Sequence, residues 1–309
     1  MTLSTMLSAQ SPLPYKEAVI ITSFSAGSGP DSLLRKIQPE LSQVLGVPVI
    51  IENRPGANGA VAFNACFKNS QNRNQVTLCY TEAAVVWAYP LIYGHPGPTE
   101  YLQPLTPSHY ADLVLVTSPK INSLKDLQQA VAANPNYGSW SIGSVGQISS
   151  EQVSRSLGIV SQHIPYKDHN QWLIDVSTER LSFSFATMGS SQALEKQGKL
   201  KYLAIATGQR DADHPTVPTV KELLGNHSNF ISLRAVGMFY VDSRMHPQVE
   251  NTLRSGIRQV LDSTDVRSDI VTRWYKPWTL NEKETIRVLS QEAKHYTRFL
   301  KEFNIDLRQ

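Results

Sequence analysis

Long apolar runs are missing from this chain, as are low-complexity tracts, internal repeats and any block of one charge. No run approaches the ~18 consecutive apolar residues that a membrane span needs. Cysteine is scarce: only Cys66 and Cys79 occur in 309 residues. They form no C-x-x-C and no zinc spacing, so they read as small buried hydrophobes; a disulfide is the alternative, if a helix and a strand bring them within bridging distance. Acids and bases nearly balance, 26 against 29 for a net charge of +3, and they are interspersed. That leaves no basic stripe for a nucleic acid, and no nucleic-acid partner is expected.

Catalytic signatures are missing too. The eight histidines include no H-E-x-x-H and no pair at metal-ligand spacing; His163 and His169 have no cysteine nearby. The glycine-rich segment near residue 27 lacks the G-K-[ST] ending of a nucleotide loop and the third glycine of a dinucleotide fingerprint. No G-x-S-x-G elbow occurs, and neither Ser25 nor Ser28 has an evident base. An enzyme is therefore not expected, nor a metal or cofactor. Met1 to Gln10 lacks the positive start and longer apolar stretch of an export signal, although Ser8-Ala9-Gln10 resembles the end of one. Export cannot be read from these residues, and residues 1–16 are expected to be loosely ordered.

What is present is organised around Val19 to Leu45. Val19 to Phe24 is short, apolar and β-branched, and predicts a buried strand. Leu33, Leu34, Ile37, Leu41, Val44 and Leu45 recur at helical spacing, and Gly46 stands where a left-handed cap ends a helix. Between them Ser25-Ala26-Gly27-Ser28-Gly29 forms a small-residue loop, and Pro30 suits the first helical position. Bare backbone N–H groups and a helix N-terminus together favour an anion; a tight turn is the plainer alternative.

Strands are expected at Val47 to Glu52 and Val76 to Tyr80, with a short helix from Ala60 to Phe67 between them. This alternation predicts a mostly parallel α/β sheet, whose ligands lie beyond the carboxyl ends of the strands, where Thr81 and Glu82 fall. Further on, Asp112 to Thr117 predicts a strand and Ser123 to Ala133 a helix opened by Ser123. Trp140 to Gly143 predicts another strand, leading through Ser144-Val145-Gly146-Gln147-Ile148 into a helix near Ser149. The opening device is thus repeated, which suggests two lobes gripping one anion. Strands follow at Leu181 to Ala186, ending in Thr187, and at Leu203 to Ala206. Ile231 to Val241 predicts a long strand containing Arg234, which is either a bidentate carboxylate partner or a surface arginine near a hinge. Pro247 to Leu261 and Glu282 to Phe299 predict amphipathic helices, expected to pack on the first lobe.

Ser23-Phe24-Ser25-Ala26-Gly27-Ser28-Gly29-Pro30-Asp31 resembles the P-F-x-x-G-G-x-x-D signature of the Bug family, the periplasmic solute-binding receptors of tripartite tricarboxylate transport systems. Glu52-Asn53-Arg54-Pro55-Gly56-Ala57-Asn58-Gly59 is similar to that family's E-N-R-P-G-A-x-G segment and is the more specific match. Ser123 to Leu127, Gly143 to Gly146, Ile164 to Lys167, Gln197 to Leu200 and Val217 to Thr219 follow in order. Departures are Asp168 and His169 where the family has glycines, Ser28 and Pro30, Ile148, Gln152, Ser182, Ala186, and Asn74-Gln75-Val76.

The resemblance implies an α/β, two-lobed periplasmic binding protein of the clamshell type, each lobe a mixed sheet flanked by helices. Residues 1–109 with 233–309 would form the first lobe and 110–232 the second. It implies a monomeric periplasmic receptor for a small organic acid, which it delivers to membrane permease subunits or, as the other reading, to a membrane sensor. Carboxylate oxygens would accept hydrogen bonds from the Phe24 to Gly29 loop, supported by Asp31, and from Ser144, Val145, Gly146, Gln147 and Ser149. Thr81, Glu82, Asp168, His169, Thr187 and Arg234 complete the expected site. Glu82 and Asp168, if they face the ligand, hint at an amino group on it.

Overall fold

A computed structural model describes residues 13–166, 169–225, 229–303 and 305. The expectation for residues 1–16 therefore lies largely outside the described residues. Two compact units divide the chain. The first takes Met1–Thr81, Pro98–Ser108 and Met238–Ile270; the second takes Glu82–Gly97, His109–Gly237 and Val271–Gln309.

In chain order the first unit begins with β1 (Glu17–Thr22), α1 (Gly29–Leu45), β2 (Val49–Asn53), α2 (Ala60–Asn69) and β3 (Gln75–Glu82). α3 (Ala83–Tyr93) follows, then β4 (Leu102–Ala111), which carries the chain out of the first unit. The second unit continues with β5 (Leu113–Thr117), α4 (Leu124–Ala133), β6 (Asn136–Ser139), α5 (Val145–Ser156), β7 (Gln162–Pro165) and α6 (His169–Ser177). Then come β8 (Phe183–Thr187), α7 (Met188–Lys196), β9 (Lys201–Ile205) and α8 (Val220–Leu224). β10 (Ala235–Asp242) returns to the first unit for α9 (Pro247–Leu261) and α10 (Thr264–Thr272), and β11 (Lys276–Pro277) and α11 (Glu282–Glu302) close the chain.

In the first unit β1 pairs in parallel with both β2 and β3, Ile20 lying opposite Ile51 and Leu78. Ala18 to Ile21 are all buried, as a central parallel strand covered on both faces requires. β10 and β4 extend this sheet in the order β4-β10-β3-β1-β2. α1 buries Leu33, Leu34, Ile37, Leu41 and Leu45, and Gly46 ends it at φ 70°. α9 packs on α1 where Gly256 permits a close approach: a Cβ there would lie 2.8 Å from Leu45 Cδ2.

Cys66 on α2 and Cys79 on β3 are joined by a disulfide, their Cα atoms 5.9 Å apart. The expectation of two separate thiols is corrected: α2 packs on β1, whose neighbour in the sheet is β3, and Cys66 thereby comes within bridging distance of Cys79.

The second unit holds a mixed sheet in the order β7-β6-β8-β5-β9, with β6 parallel to β7 and β8, and β5 antiparallel to β8 and β9. Its two faces follow the two-residue strand period. Leu113, Leu115, Phe183 and Phe185 join a core with Ile148 and Val153 of α5 and Tyr296 and Phe299 of α11. Val114, Val116 and Ala186 face Trp172, Leu173 and Val176 of α6. The sequence expectation puts both C-terminal helices on the first lobe; α9 packs on α1 in the first unit, but α11 packs on α3 and α5 in the second.

Three further expectations are corrected. Trp140 to Gly143 is a turn, with Gly143 at φ 73°, and the strand lies just before it at Asn136–Ser139. The following helix starts at Val145 instead of near Ser149, because Ser144 caps it. Arg234 precedes β10 and is not inside it. α3, β4, β7 and α10 have no counterpart among the expected elements.

Two outcomes are expected from this packing. Reduction of the disulfide, or the C66A/C79A pair, removes a constraint across 13 residues of sequence, and chemical denaturation is expected to show a loss of about 3 kcal/mol. His109 on β4 is buried and stacked on Tyr275 at 4.1 Å, and burial lowers its pKa to about 3. The unfolded chain therefore binds the proton first as pH falls below the ordinary histidine value. Relative to H109F, wild type should lose on the order of 2–3 kcal/mol of stability between pH 7 and pH 4; parallel pH profiles of the two proteins would contradict this.

Candidate functional site

The first loop leaves β1 and enters α1. Ser28 is the N-cap, its hydroxyl accepting from the Asp31 N–H, and Pro30 occupies the first turn. Gly27 sits at φ 79°, and a Cβ added there would meet nothing within 4 Å, so the loop surface is open at that point. Three of the loop's N–H groups are already engaged: Phe24 donates to Thr22 Oγ1, Gly27 to Asp31 Oδ2 and Ser28 to the Ser25 carbonyl. Those of Ser25, Ala26 and Gly29 have no acceptor among the described residues, and Ser25 and Ala26 are exposed.

Asp31 lies beneath this loop, fully buried. One oxygen accepts from Gly27 N–H at 2.8 Å and Arg35 Nε at 3.0 Å, the other from Asn53 Nδ2 at 2.8 Å. Burial pushes its carboxyl up, but the bonds from Asn53, Arg35 and Gly27 together outweigh that and hold it below the ordinary value. Asn53 also donates to the Phe24 carbonyl at 3.0 Å and accepts from Arg35 at 2.9 Å. The Glu52 to Gly59 segment thus locks the first loop, through Asn53. The sequence singles out that segment but gives no sign of this role. On the other side Ser23 Oγ lies 2.6 Å from Thr81 Oγ1, so Thr81 braces the loop from the end of β3.

The second loop leaves β6 and enters α5. Ser144 Oγ accepts from Gln147 N–H at 3.1 Å, and Gln147 Oε1 reaches back to Gly143 N–H at 2.6 Å, a reciprocal cap. Ser144 donates to Ser139 Oγ, which lies 2.7 Å from His163 Nε2. The Tyr296 hydroxyl donates to the Gly143 carbonyl; nothing in the sequence joins those two residues. Val145 and Gly146, the first two residues of α5, have N–H groups without an acceptor among the described residues, and both are buried. Ser149 Oγ is buried and likewise has no partner. A buried donor left unpaired is costly, and at a helix start the field favours a negative acceptor. Gly146 itself is crowded: a Cβ would come 2.6 Å from Trp140 Cζ3 and 3.0 Å from the Phe185 carbonyl.

The other expected residues are placed as follows. Glu82 ends β3 in a buried position; burial pushes its carboxyl up to about 7, against a bond from Trp140 that lowers it. Thr187 caps α7 through the Ser190 N–H. Arg234 donates to Glu292 Oε1 through Nε at 2.8 Å and Nη2 at 2.5 Å, and lies over Tyr110 and Trp278. Asp168 lies outside the described residues, and His169 is the first residue of α6. No group of His, Cys, Asp and Glu among the described residues could hold a metal ion. No helix among them is long and apolar enough to cross a membrane. A cavity of about 630 Å³ in the second unit, lined by Arg155, Lys221, Phe230 and Arg298 among others, shares no residue with either loop.

Comparison with known proteins identifies the fold and the family. A UPF0065 protein of Bordetella pertussis is 25% identical over 298 residues, covering 94% of this chain and 91% of that one. BugT of the same organism is 23% identical over 301 residues, covering 96% and 91%. Among solved structures, MatC from Rhodopseudomonas palustris with bound malate aligns at TM-score 0.77 and 19% identity, covering 92% of this chain and 99% of that one. A second R. palustris protein, with adipate, aligns at 0.76 and 19%, covering 94% and 97%. The periplasmic binding protein BugD aligns at 0.79 and 16%, covering 96% and 100%. The fold is therefore the two-lobed fold of periplasmic binding proteins. The family described as tripartite tricarboxylate transporter family receptor matches residues 33–305. The chain belongs to the tripartite tricarboxylate transporter receptor family.

Proposed function

We propose that this chain is a periplasmic receptor that captures one small carboxylate by clamshell closure and delivers it to the permease subunits of a membrane transporter. The observation that carries this reading is the pair of bare backbone donors at the start of α5, buried and without an acceptor among the described residues. The exposed N–H groups of Ser25 and Ala26, and that of Gly29, form a second set of the same kind at the start of α1. Carboxylate oxygens suit both sets, because hydrogen bonds to a charged acceptor contribute about 1.5–3 kcal/mol each. The malate and adipate held by two solved proteins of the same fold support an organic acid as ligand. The Cys66–Cys79 bridge supports an oxidising compartment such as the periplasm. No chemical step is assigned to the site, and a bound acid should be released unchanged.

Native mass spectrometry of freshly purified protein should find one co-purified organic acid, displaced by the dicarboxylate, aromatic acid or amino acid that binds best in calorimetry. Valine at position 27 is strained at φ 79° but meets open space, so G27V is expected to keep the fold and weaken binding about tenfold or more. G146V drives a side chain into Trp140 and should lower both melting temperature and affinity. Unchanged affinity in both variants would refute the two-loop grip.

A further inference from the structure

Glu82 has no role in the carboxylate grip. It stands at the N-cap of α3, yet its side chain does not cap that helix. It is 8% exposed, takes a hydrogen bond from Trp140, and its Oε1 is covered and meets no partner. No lysine, arginine or histidine among the described residues pairs with it. Tyr275 and Tyr296 are the titratable groups that feel its charge. Both are neutral, burial pushing the Tyr275 hydroxyl up to about 12 and raising that of Tyr296 well above its ordinary value, and the nearby Arg273 acts on Tyr275.

Trp140 links this carboxylate to the second loop, because its ring packs on Gly146 in the first turn of α5. Within the second unit, then, unmatched N–H donors and an unmatched carboxylate stand one indole ring apart. A covered carboxylate without a counter-group is costly to keep ionised. A ligand that brought only carboxylates would place like charges together and force Glu82 to hold its proton. A ligand with an ammonium group beside its carboxylate meets both unmatched sets at once.

Resting on the receptor reading above, we infer that Glu82 receives the ammonium group of the ligand while the start of α5 takes its carboxylate, so that the substrate class is amino acids and not plain organic acids. The ammonium favours ionised Glu82, whose carboxyl burial otherwise holds at about 7. Amino-acid binding should therefore release protons near neutral pH and tighten as pH rises, whereas a plain acid should take protons up and weaken.

The test is calorimetry at pH 6 and pH 8 with three matched pairs: L-aspartate and succinate, L-glutamate and glutarate, L-phenylalanine and 3-phenylpropionate. In at least one pair the amino acid should bind tenfold or more tighter at pH 8, its affinity rising about tenfold from pH 6. E82Q, which keeps an acceptor for Trp140, should remove both the preference and the pH rise. Should E82Q fail to fold, the sign of proton exchange in wild type decides alone. Deamino acids that bind as tightly as their partners, or a preference that survives in E82Q, would overturn the assignment of Glu82 while leaving a carboxylate receptor standing. If no member of any pair binds, the receptor reading falls and this inference with it.

Discussion

A helix start leaves backbone N–H groups without partners inside the helix, and both strand-to-helix loops of this protein are arranged around that shortage. Side chains quench part of it. Ser28 and Ser144 each take one donor, Asp31 takes the Gly27 N–H and Gln147 takes the Gly143 N–H. The remainder stays unquenched at Ser25, Ala26 and Gly29 in one unit and at Val145 and Gly146 in the other. Side chains beneath the loops brace them: Asp31 with Asn53 and Arg35 in one unit, Gln147 and Tyr296 in the other.

The two units do this differently. In the first, the support is ionic: a buried carboxylate gathers an arginine, an amide side chain and a backbone donor, and the resulting network fixes the open loop from below. In the second it is steric and aromatic. Trp140 covers Gly146, Tyr296 reaches in from α11 to the Gly143 carbonyl, and a run from His163 through Ser139 to Ser144 holds the cap. Arg234, whose charge suits a carboxylate, is held instead by Glu292 between two aromatic rings.

Elements with a clear period and marked ends were legible from the amino acids. α1 shows its apolar stripe between a serine cap with proline and a left-handed glycine, and the starts of α4 and α9 are similarly marked, by Ser123 and by Pro247. α3, with the sequence AAVVWAYPLIY, is apolar on all sides and contains Pro90, so it offers no stripe and one argument against a helix. β4 carries Pro104 and Pro107 among polar residues and reads as a loop until pairing partners are known. Trp140 to Gly143 imitates the alternation of a strand, but Trp140 is needed over α5. The small-residue loops of the site were legible because their chemistry is local. The isolation of Glu82 and the bond from Tyr296 to Gly143 were not, since they depend on residues far apart in sequence meeting in one core.

The way α9 lies on α1 at Gly256 bears on how the molecule is made. α1 belongs to the first fifth of the chain and α9 to the last, with the second unit's strands synthesised between them. The second unit in turn waits for Tyr296 and Phe299 of α11. Each core therefore joins segments far apart in sequence, α1 with α9 in one unit and β5 and β8 with α11 in the other, and contacts of such long range slow folding.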